Sequence, residues 1–217
     1  MDQHQFNQKL TDFLASSPTP FHAVDQMAAQ LSSAGFERLH EADAWQVMPG
    51  GRYFITRNDS SIIAWRMPAR SELAESGFRM VGAHTDSPCL KVKPQPELHR
   101  HGYVQLGVEV YGGVLLNPWF DRDLSIAGRV SYLNQGGDIR HGLIDFTQAV
   151  SIIPSLAIHL DRDANKSRSI NAQTYLPPIL GQADKKENKL DFKALLSQRL
   201  VANGVSDVGQ VLDHELF

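Results

Sequence analysis

The spacing of apolar residues changes along the chain, and this change limits the folds that the sequence can adopt. In residues 6–31 the apolar positions recur every three or four residues, which is the period of an amphipathic helix. In residues 103–111 Val104, Leu106 and Val108 alternate with polar residues, which is typical of a half-buried strand. Further alternating segments follow without a helix between them, so the sequence predicts an α/β part and then a separate β-rich domain.

Two helices are predicted at the start of the chain. The first ends before the SSPTP run at residues 16–20, because proline cannot continue a helix. The second begins with Thr19 as its N-cap and Pro20 at its first position, and it ends at Gly35. His22, near the start of this helix, is predicted to be a structural histidine rather than a ligand.

Strands and a late helix are predicted from the same patterns. Residues 52–57 and 62–66 form a hairpin, and residues 79–83 form a buried strand of an open α/β sheet. A second hairpin joins residues 125–133 to residues 139–146 through a glycine-rich turn. Residues 190–202 form an amphipathic helix that Asn203 and Gly204 end. The charged DKKE run at residues 184–187 is expected to be a solvated surface.

A histidine and an aspartate two residues apart follow the strand predicted for residues 79–83. In an extended segment His84 and Asp86 point the same way, so the imidazole could bind a metal while the carboxylate contacts its other nitrogen. A turn histidine beside a capping aspartate has the same spacing. The pattern also recurs at His159 and Asp161, so spacing alone leaves both interpretations open.

Several longer segments closely resemble the aspartyl aminopeptidase family of zinc metallopeptidases, bacterial type. They read HTDSPCLKVKP at residues 84–94, YGG at 111–113, NPWFDRDLSIAGRV at 117–130 and IPSLAIHL at 153–160. The match begins with SPTPFHAV at residues 17–24 and keeps its order to the C-terminus. Members of the resembled family are about twice this long, so the resemblance implies the N-terminal half only.

The resemblance implies a fold and an assembly. Residues 1–92 would be the N-terminal part of the catalytic α/β sheet domain of a zinc aminopeptidase. Residues 93–217 would be a β-rich dimerisation domain, whole or in part, with the boundary near the two prolines of residues 91–96. In the resembled family such a domain mediates a homo-oligomer, in which dimers assemble into a larger complex.

The resemblance also implies a chemistry, in which two zinc ions polarise the scissile carbonyl and activate water while a carboxylate acts as general base. His84 matches the first metal ligand, and Asp86 matches the catalytic aspartate that orients it. His159 matches a histidine that binds metal or contacts substrate from a neighbouring subunit. Without the resemblance, the local sequence around His159 suggests a buried structural histidine. The other ligands and the catalytic glutamate lie in the half that is not represented.

Two functions follow from this resemblance. The first is a zinc-dependent metalloaminopeptidase that releases N-terminal Asp or Glu from peptides, with the group that would bind the acidic side chain not identified. The second is a non-catalytic truncated fragment that acts only as an oligomerisation module, because zinc takes three or four protein ligands. Motifs of unrelated hydrolases, such as Gly-x-Ser-x-Gly and His-Glu-x-x-His, are absent from the sequence.

Composition sets the expected surroundings. A net charge of -3 without a basic run argues against nucleic acid as a partner. No apolar stretch approaches the roughly 18 residues of a membrane span, and residues 1–9 are too polar for a signal peptide. Cys89 is the only cysteine, so an internal disulfide is impossible, and it is expected to be a small buried side chain. A cytoplasmic protein is predicted.

Overall fold

The chain divides into two compact units in a computed structural model that describes residues 2–70, 77–183 and 191–217. The units are Met1–Ser87 and Pro88–Phe217. The division lies a few residues before the predicted boundary, because a long strand already begins at Cys89. The charged run at residues 184–187 lies outside the described residues.

The described residues form a 3-10 helix at Asn117–Trp119 together with four α-helices and nine strands, which are numbered here in chain order. They are α1 (Gln3–Ala15), α2 (Pro20–Ser33), β1 (Glu37–Arg38), β2 (Arg52–Arg57), β3 (Ser61–Arg66), β4 (Cys89–Arg100), β5 (Tyr103–Tyr111), β6 (Ala127–Asn134), β7 (Ile139–Asp145), α3 (Ala172–Tyr175), β8 (Ile179–Gln182), α4 (Phe192–Ala202) and β9 (Val208–Leu216). The predicted mixed α/β class is confirmed. No helix in the described ranges is long and apolar enough to cross a membrane.

The first unit consists of two helices and a small sheet in the order β1-β2-β3. The predicted N-cap is confirmed, because the Thr19 side chain accepts a hydrogen bond from the His22 backbone N–H at the start of α2. Helix α2 buries Phe21 and Val24, and β2 buries Phe54. Helix α1 buries no residue, so the small core is formed by α2 and the sheet.

The first predicted hairpin is also confirmed. Strands β2 and β3 pair antiparallel from Arg52 opposite Arg66 to Arg57 opposite Ser61. In the turn between them Asn58 has a φ of 51° and Asp59 a φ of 55°, so both residues are left-handed. Asparagine and aspartate tolerate this region better than most residues, which explains why the polar run turns here.

The strand predicted for residues 79–83 is wrong. These residues have no regular secondary structure, Met80 is 87% exposed, and Val81 is fully exposed. A buried parallel strand needs hydrogen-bonding neighbours on both sides and cover on both faces. None of the described strands pairs with this segment. Its apolar sequence therefore remains in contact with solvent in this chain.

The second unit is β-rich, as predicted, and contains two antiparallel sheets in the orders β4-β5-β8 and β7-β6-β9. Helix α4 covers them and contributes the fully buried Leu196 and Leu200 to the main core. Val92 and Leu106 from the first sheet and Val130 from the second belong to the same core. The pairing of β6 with β7 confirms the second predicted hairpin, and α4 confirms the predicted late helix. Residue 190, at the predicted start of this helix, lies outside the described residues.

The two prolines expected at a domain boundary lie inside β4 instead. The pairing of β4 with β5 shifts register between Val92 and Glu97, so that residues 93–96 bulge from the ladder. Proline has no backbone N–H to donate, and a bulge is one of the places where a strand tolerates it. Strand β4 thus continues through the two prolines at which the sequence predicted a domain boundary.

Four elements of the second unit were not predicted from the sequence. They are the strand β4, the short helix α3 and the strands β8 and β9. Strand β9 pairs along β6, where Gly128 has a φ of 152°. A Cβ atom at Gly128 would lie 2.1 Å from the Glu215 carbonyl oxygen, so this close approach of two backbones requires glycine.

Candidate metal site and associated residues

His84 and Asp86 lie side by side, as their spacing predicts, but on an irregular segment rather than at the end of a strand. The His84 Nδ1 atom is 2.7 Å from the Asp86 backbone oxygen and 3.5 Å from the Asp86 carboxylate oxygen Oδ1. The His84 side chain is 80% exposed. The aspartate therefore contacts one ring nitrogen and leaves the other side of the ring open to solvent.

This contact determines which nitrogen of His84 is available to a metal. A backbone carbonyl can only accept a hydrogen bond, so the bond forms when Nδ1 carries the hydrogen. The neutral ring then has its lone pair on Nε2, for which no hydrogen-bond partner is found in the described part of the chain. Metal-binding histidines commonly have this arrangement, in which an oxygen acceptor fixes the ring from behind.

A further contact holds the segment in place within the first unit. The Thr85 hydroxyl donates a hydrogen bond of 2.7 Å to the backbone oxygen of Ser60. Ser60 belongs to the turn between β2 and β3, so the hairpin anchors the residues on either side of Thr85. The irregular segment that carries His84 thereby gains a fixed point on the sheet.

His159, the third predicted site residue, lies in the second unit. It is exposed on a turn that begins where the Leu160 N–H donates to the Ala157 carbonyl at 2.8 Å. His84 and His159 therefore belong to separate units of the chain. Neither histidine lies within a group of three or more His, Cys, Asp or Glu side chains in the described ranges, where no such group is found.

Asp121 is a positioning residue that the sequence analysis missed. Its carboxylate accepts a hydrogen bond of 2.8 Å from the Ser155 N–H, and its own N–H donates to the Ile153 carbonyl at 2.9 Å. The hydrogen bonds from Ser155 lower the pKa of the Asp121 carboxyl below its ordinary value. These contacts fix the start of the segment that carries His159. Its position inside the NPWFDRD motif was the signal that could have identified it.

The donor set fits one position of a zinc site. Zinc takes three or four protein ligands, and a histidine with its second nitrogen held by an oxygen is a suitable one. His84 with Asp86 meets that description. A complete site needs ligands beyond those that the described residues bring together.

Comparison with known proteins connects this half-site to a family. The model of the family described as "Aminopeptidase I zinc metalloprotease (M18)" matches residues 13–216. The chain is 57% identical over 212 residues to "Probable M18 family aminopeptidase 2" of Azotobacter vinelandii, covering 98% of this chain and 49% of that protein. The protein of the same name from Pseudomonas putida is 57% identical over 210 residues, with 97% and 48% covered. The chain thus spans about half the length of the curated relatives it matches.

Solved structures give the same result. The cryo-EM structure of the Ape4 and Nbr1 complex matches 94% of this chain and 42% of its own, with a TM-score of 0.88 and 38% identity. Chaetomium thermophilum mApe1 matches with a TM-score of 0.84 and 33% identity, covering 98% of this chain and 50% of that one. The mApe1 dodecamer of S. cerevisiae matches with a TM-score of 0.73 and 29% identity, covering 97% and 47%.

Proposed function

The chain belongs to the M18 family of aminopeptidase I zinc metalloproteases, and we propose that it supplies part of a zinc-dependent aminopeptidase that releases N-terminal Asp or Glu from peptides. The observation that carries the proposal is the contact of His84 Nδ1 with Asp86, which leaves Nε2 for a metal. His84 is the metal ligand, and Asp86 orients it.

Each candidate site residue has a defined part in this proposal. Zinc, when bound, would polarise the scissile carbonyl and activate water. His84 binds the metal through Nε2, while the backbone oxygen of Asp86 accepts the hydrogen on Nδ1 and so leaves the lone pair of the neutral ring on Nε2. His159 contacts metal or substrate, and Asp121 holds its segment. The complete enzyme uses two zinc ions and acts in the cytoplasm.

The preference for acidic N-terminal residues is the finer part of the proposal. It is supported by the resemblance of residues 84–94 and 117–130 to the aspartyl aminopeptidases. A peptide substrate with an N-terminal Asp or Glu needs a cationic group in its binding site, since a buried carboxylate must be paired.

A second candidate function is an oligomerisation module without peptidase activity. The observation that favours it is the absence of a group of three or more metal-binding side chains among the described residues. The similar S. cerevisiae mApe1 is a dodecamer, which supports a homo-oligomer as the state of this chain. In this case the 217-residue chain associates with itself but does not hydrolyse peptides.

One experiment distinguishes the two candidates. The 217-residue chain is compared with a fusion in which it replaces the matching half of the Azotobacter vinelandii relative. Both are supplied with zinc and assayed on peptides that begin with Asp, Glu or Leu. The first function predicts that the fusion hydrolyses the Asp and Glu peptides in preference to the Leu peptide.

The separate chain tests the oligomerisation module on its own. Both predict negligible hydrolysis by the 217 residues alone, and the module predicts dimers or larger particles in light scattering at micromolar concentration. A strict monomer contradicts the oligomerisation module. A fusion that prefers the Leu peptide contradicts the acidic specificity.

A further inference from the structure

A cavity of about 530 Å³ lies in the second unit, beside the segment that carries His159. Small-molecule sites typically have volumes of roughly 300–1,000 Å³ and mostly apolar walls with a few polar groups. Phe120, Leu156 and Leu160 supply apolar wall here, and Ser167 and Thr174 supply hydroxyl groups. The cavity thus has the size and the mixed lining of a site for a small amphiphilic molecule.

The guanidinium group of Arg168 is held in one orientation at this cavity. Its Nε atom is 3.2 Å from the Asp161 Oδ2 atom, and its Cζ atom is 4.2 Å from the centroid of the Phe120 ring. The side chain is 16% exposed. An ion pair along one edge and a ring against one face fix the plane of the guanidinium group, which reduces the entropy that a ligand must remove on binding.

The ion pair with Asp161 makes its closest approach at one edge of the Arg168 guanidinium group. For the two terminal nitrogens, no hydrogen-bond partner is found within the described ranges. Two parallel N–H donors match the two oxygens of a carboxylate, and such bidentate pairs are among the strongest hydrogen bonds in proteins. Asp161 approaches the guanidinium group most closely at Nε, at 3.2 Å, and no hydrogen bond between Asp161 and the fork is found in the described residues.

We propose that the cavity at Arg168 binds the α-carboxylate of an apolar amino acid, with the carboxylate at the guanidinium fork and the side chain against Phe120, Leu156 and Leu160. A free apolar amino acid and the C-terminal residue of a peptide share this chemistry. Asp163 also lines the cavity and favours a ligand with an ammonium group, which the free amino acid carries. The inference holds whether or not the chain forms part of an aminopeptidase.

The test measures binding of three related probes to the 217-residue chain by calorimetry. L-Leucine carries both charges, N-acetyl-L-leucine resembles a peptide C-terminus, and L-leucinamide lacks the carboxylate. The expected result is millimolar or tighter binding of one or both carboxylates, and binding of leucinamide that is weaker by about tenfold or more. Tighter binding of leucine identifies the free amino acid as the ligand, and tighter binding of N-acetyl-leucine identifies the peptide terminus.

Variants test the part played by the guanidinium group. Arg168→Gln is expected to weaken binding of the carboxylates by about tenfold or more, and Arg168→Lys to weaken it less, because lysine keeps the charge but not the fork. Arg199→Gln is the matched control, since Arg199 also stacks on a ring, Phe146 at 4.3 Å, and does not line the cavity. Binding in this control should be unchanged.

Two results would overturn the inference. One is the failure of both carboxylates to bind at millimolar concentration, and the other is equal binding by leucinamide or by the Arg168→Gln variant. If Arg168→Gln does not fold, amide chemical shifts of the unaltered chain decide the question. Leucine or N-acetyl-leucine must then shift amides within residues 154–177, and shifts confined to other residues contradict the site.

Discussion

The Asp121 carboxylate accepts a hydrogen bond from the Ser155 backbone N–H at 2.8 Å and so joins two sequence motifs that lie more than thirty residues apart. The first motif contains Asp121 at a φ of 56°, a left-handed conformation that aspartate adopts more readily than most residues. The second motif carries His159. The contact holds the two motifs together in the folded chain.

Loss of this contact should release the His159 segment. We expect Asp121→Ala to accelerate hydrogen exchange at the Ser155 amide and its neighbours, because the N–H loses its charged acceptor. Asp123→Ala, a neighbour in the same motif with no side-chain contact in the described residues, is the control and should leave exchange unchanged.

The Asp121 contact should also depend on pH. Its pKa is lowered in the folded chain, so the stabilisation is present above the ordinary value of 3.8 and is lost as pH falls through the lower folded value. Exchange rates of the variant and the unaltered chain should therefore converge in strong acid. A persistent difference there would contradict the role of the ionised carboxylate.

Gly128 should be intolerant of any side chain. A Cβ at this position would lie 2.1 Å from the Glu215 carbonyl oxygen, so we expect Gly128→Ala to lower the free energy of unfolding by about 2 kcal/mol or more. The matched control is Gly181→Ala in β8, where no atom lies within 4 Å of the added Cβ. Urea denaturation measures both. Equal midpoints for the two variants would show that the β6–β9 contact does not have this geometry.

Helix α4 should contribute through one face only. Leu200 is fully buried in the main core, and truncation to alanine at such sites costs about 2–5 kcal/mol. Val201 is the next residue and is 56% exposed, so we expect Val201→Ala to change the unfolding free energy by less than about 0.5 kcal/mol. Thermal or urea unfolding of the two variants measures this difference. Similar losses of unfolding free energy in both variants would contradict the burial of the Leu200 face of α4.

His214 should make the second unit less stable in mild acid. Burial lowers the pKa of His214, whose Nε2 donates to the Lys93 carbonyl at 3.1 Å while the buried Nδ1 has no partner in the described residues. The negative charge of Asp213 raises this pKa and the positive charge of Lys193 lowers it, but burial has the largest effect.

The sign of the pH effect follows from the lowered pKa of His214. The unfolded chain takes up the proton near the ordinary value of 6.5, and the folded chain takes it up only at lower pH, so stability is lost as pH falls below about 6.5. We expect His214→Gln to reduce the change in urea midpoint between pH 7.5 and pH 5. His99→Gln, which alters an exposed histidine, should leave the change as it is. An unaltered pH dependence in His214→Gln would contradict the account.

The sequence predicted elements whose signals are local. Thr19 and Pro20 marked the start of α2, and the alternation around Leu106 marked β5, because caps and two-residue periods depend on neighbouring residues alone. The strand predicted for residues 79–83 failed because a buried strand depends on partners elsewhere in the chain.

The candidate site shows the same division. The spacing of two residues predicted that His84 and Asp86 lie close together, but not that the atom closest to Nδ1 would be the Asp86 backbone oxygen. The motif could mark Asp121 as a candidate, but its contact with Ser155 and the cavity at Arg168 could not be predicted, because both depend on how distant segments pack. Strand β9 was missed for a similar reason: its scattered apolar residues make a strand when they pair with β6.

Zinc binding by the fusion of this chain with the second half of the Azotobacter vinelandii relative tests the central claim most directly. The measurement compares zinc affinity in the unaltered fusion, in His84→Ala, in Asp86→Ala and in the control His40→Ala, which alters an exposed histidine of the same unit. We predict a large loss of zinc affinity in His84→Ala and no change in His40→Ala. Asp86→Ala removes the carboxylate 3.5 Å from Nδ1 but keeps the backbone oxygen that accepts the Nδ1 hydrogen, so we predict a smaller loss of roughly 10-fold. Peptidase activity should be abolished in His84→Ala. Full zinc affinity and full activity in the His84→Ala fusion would contradict the claim that His84 Nε2 binds the metal.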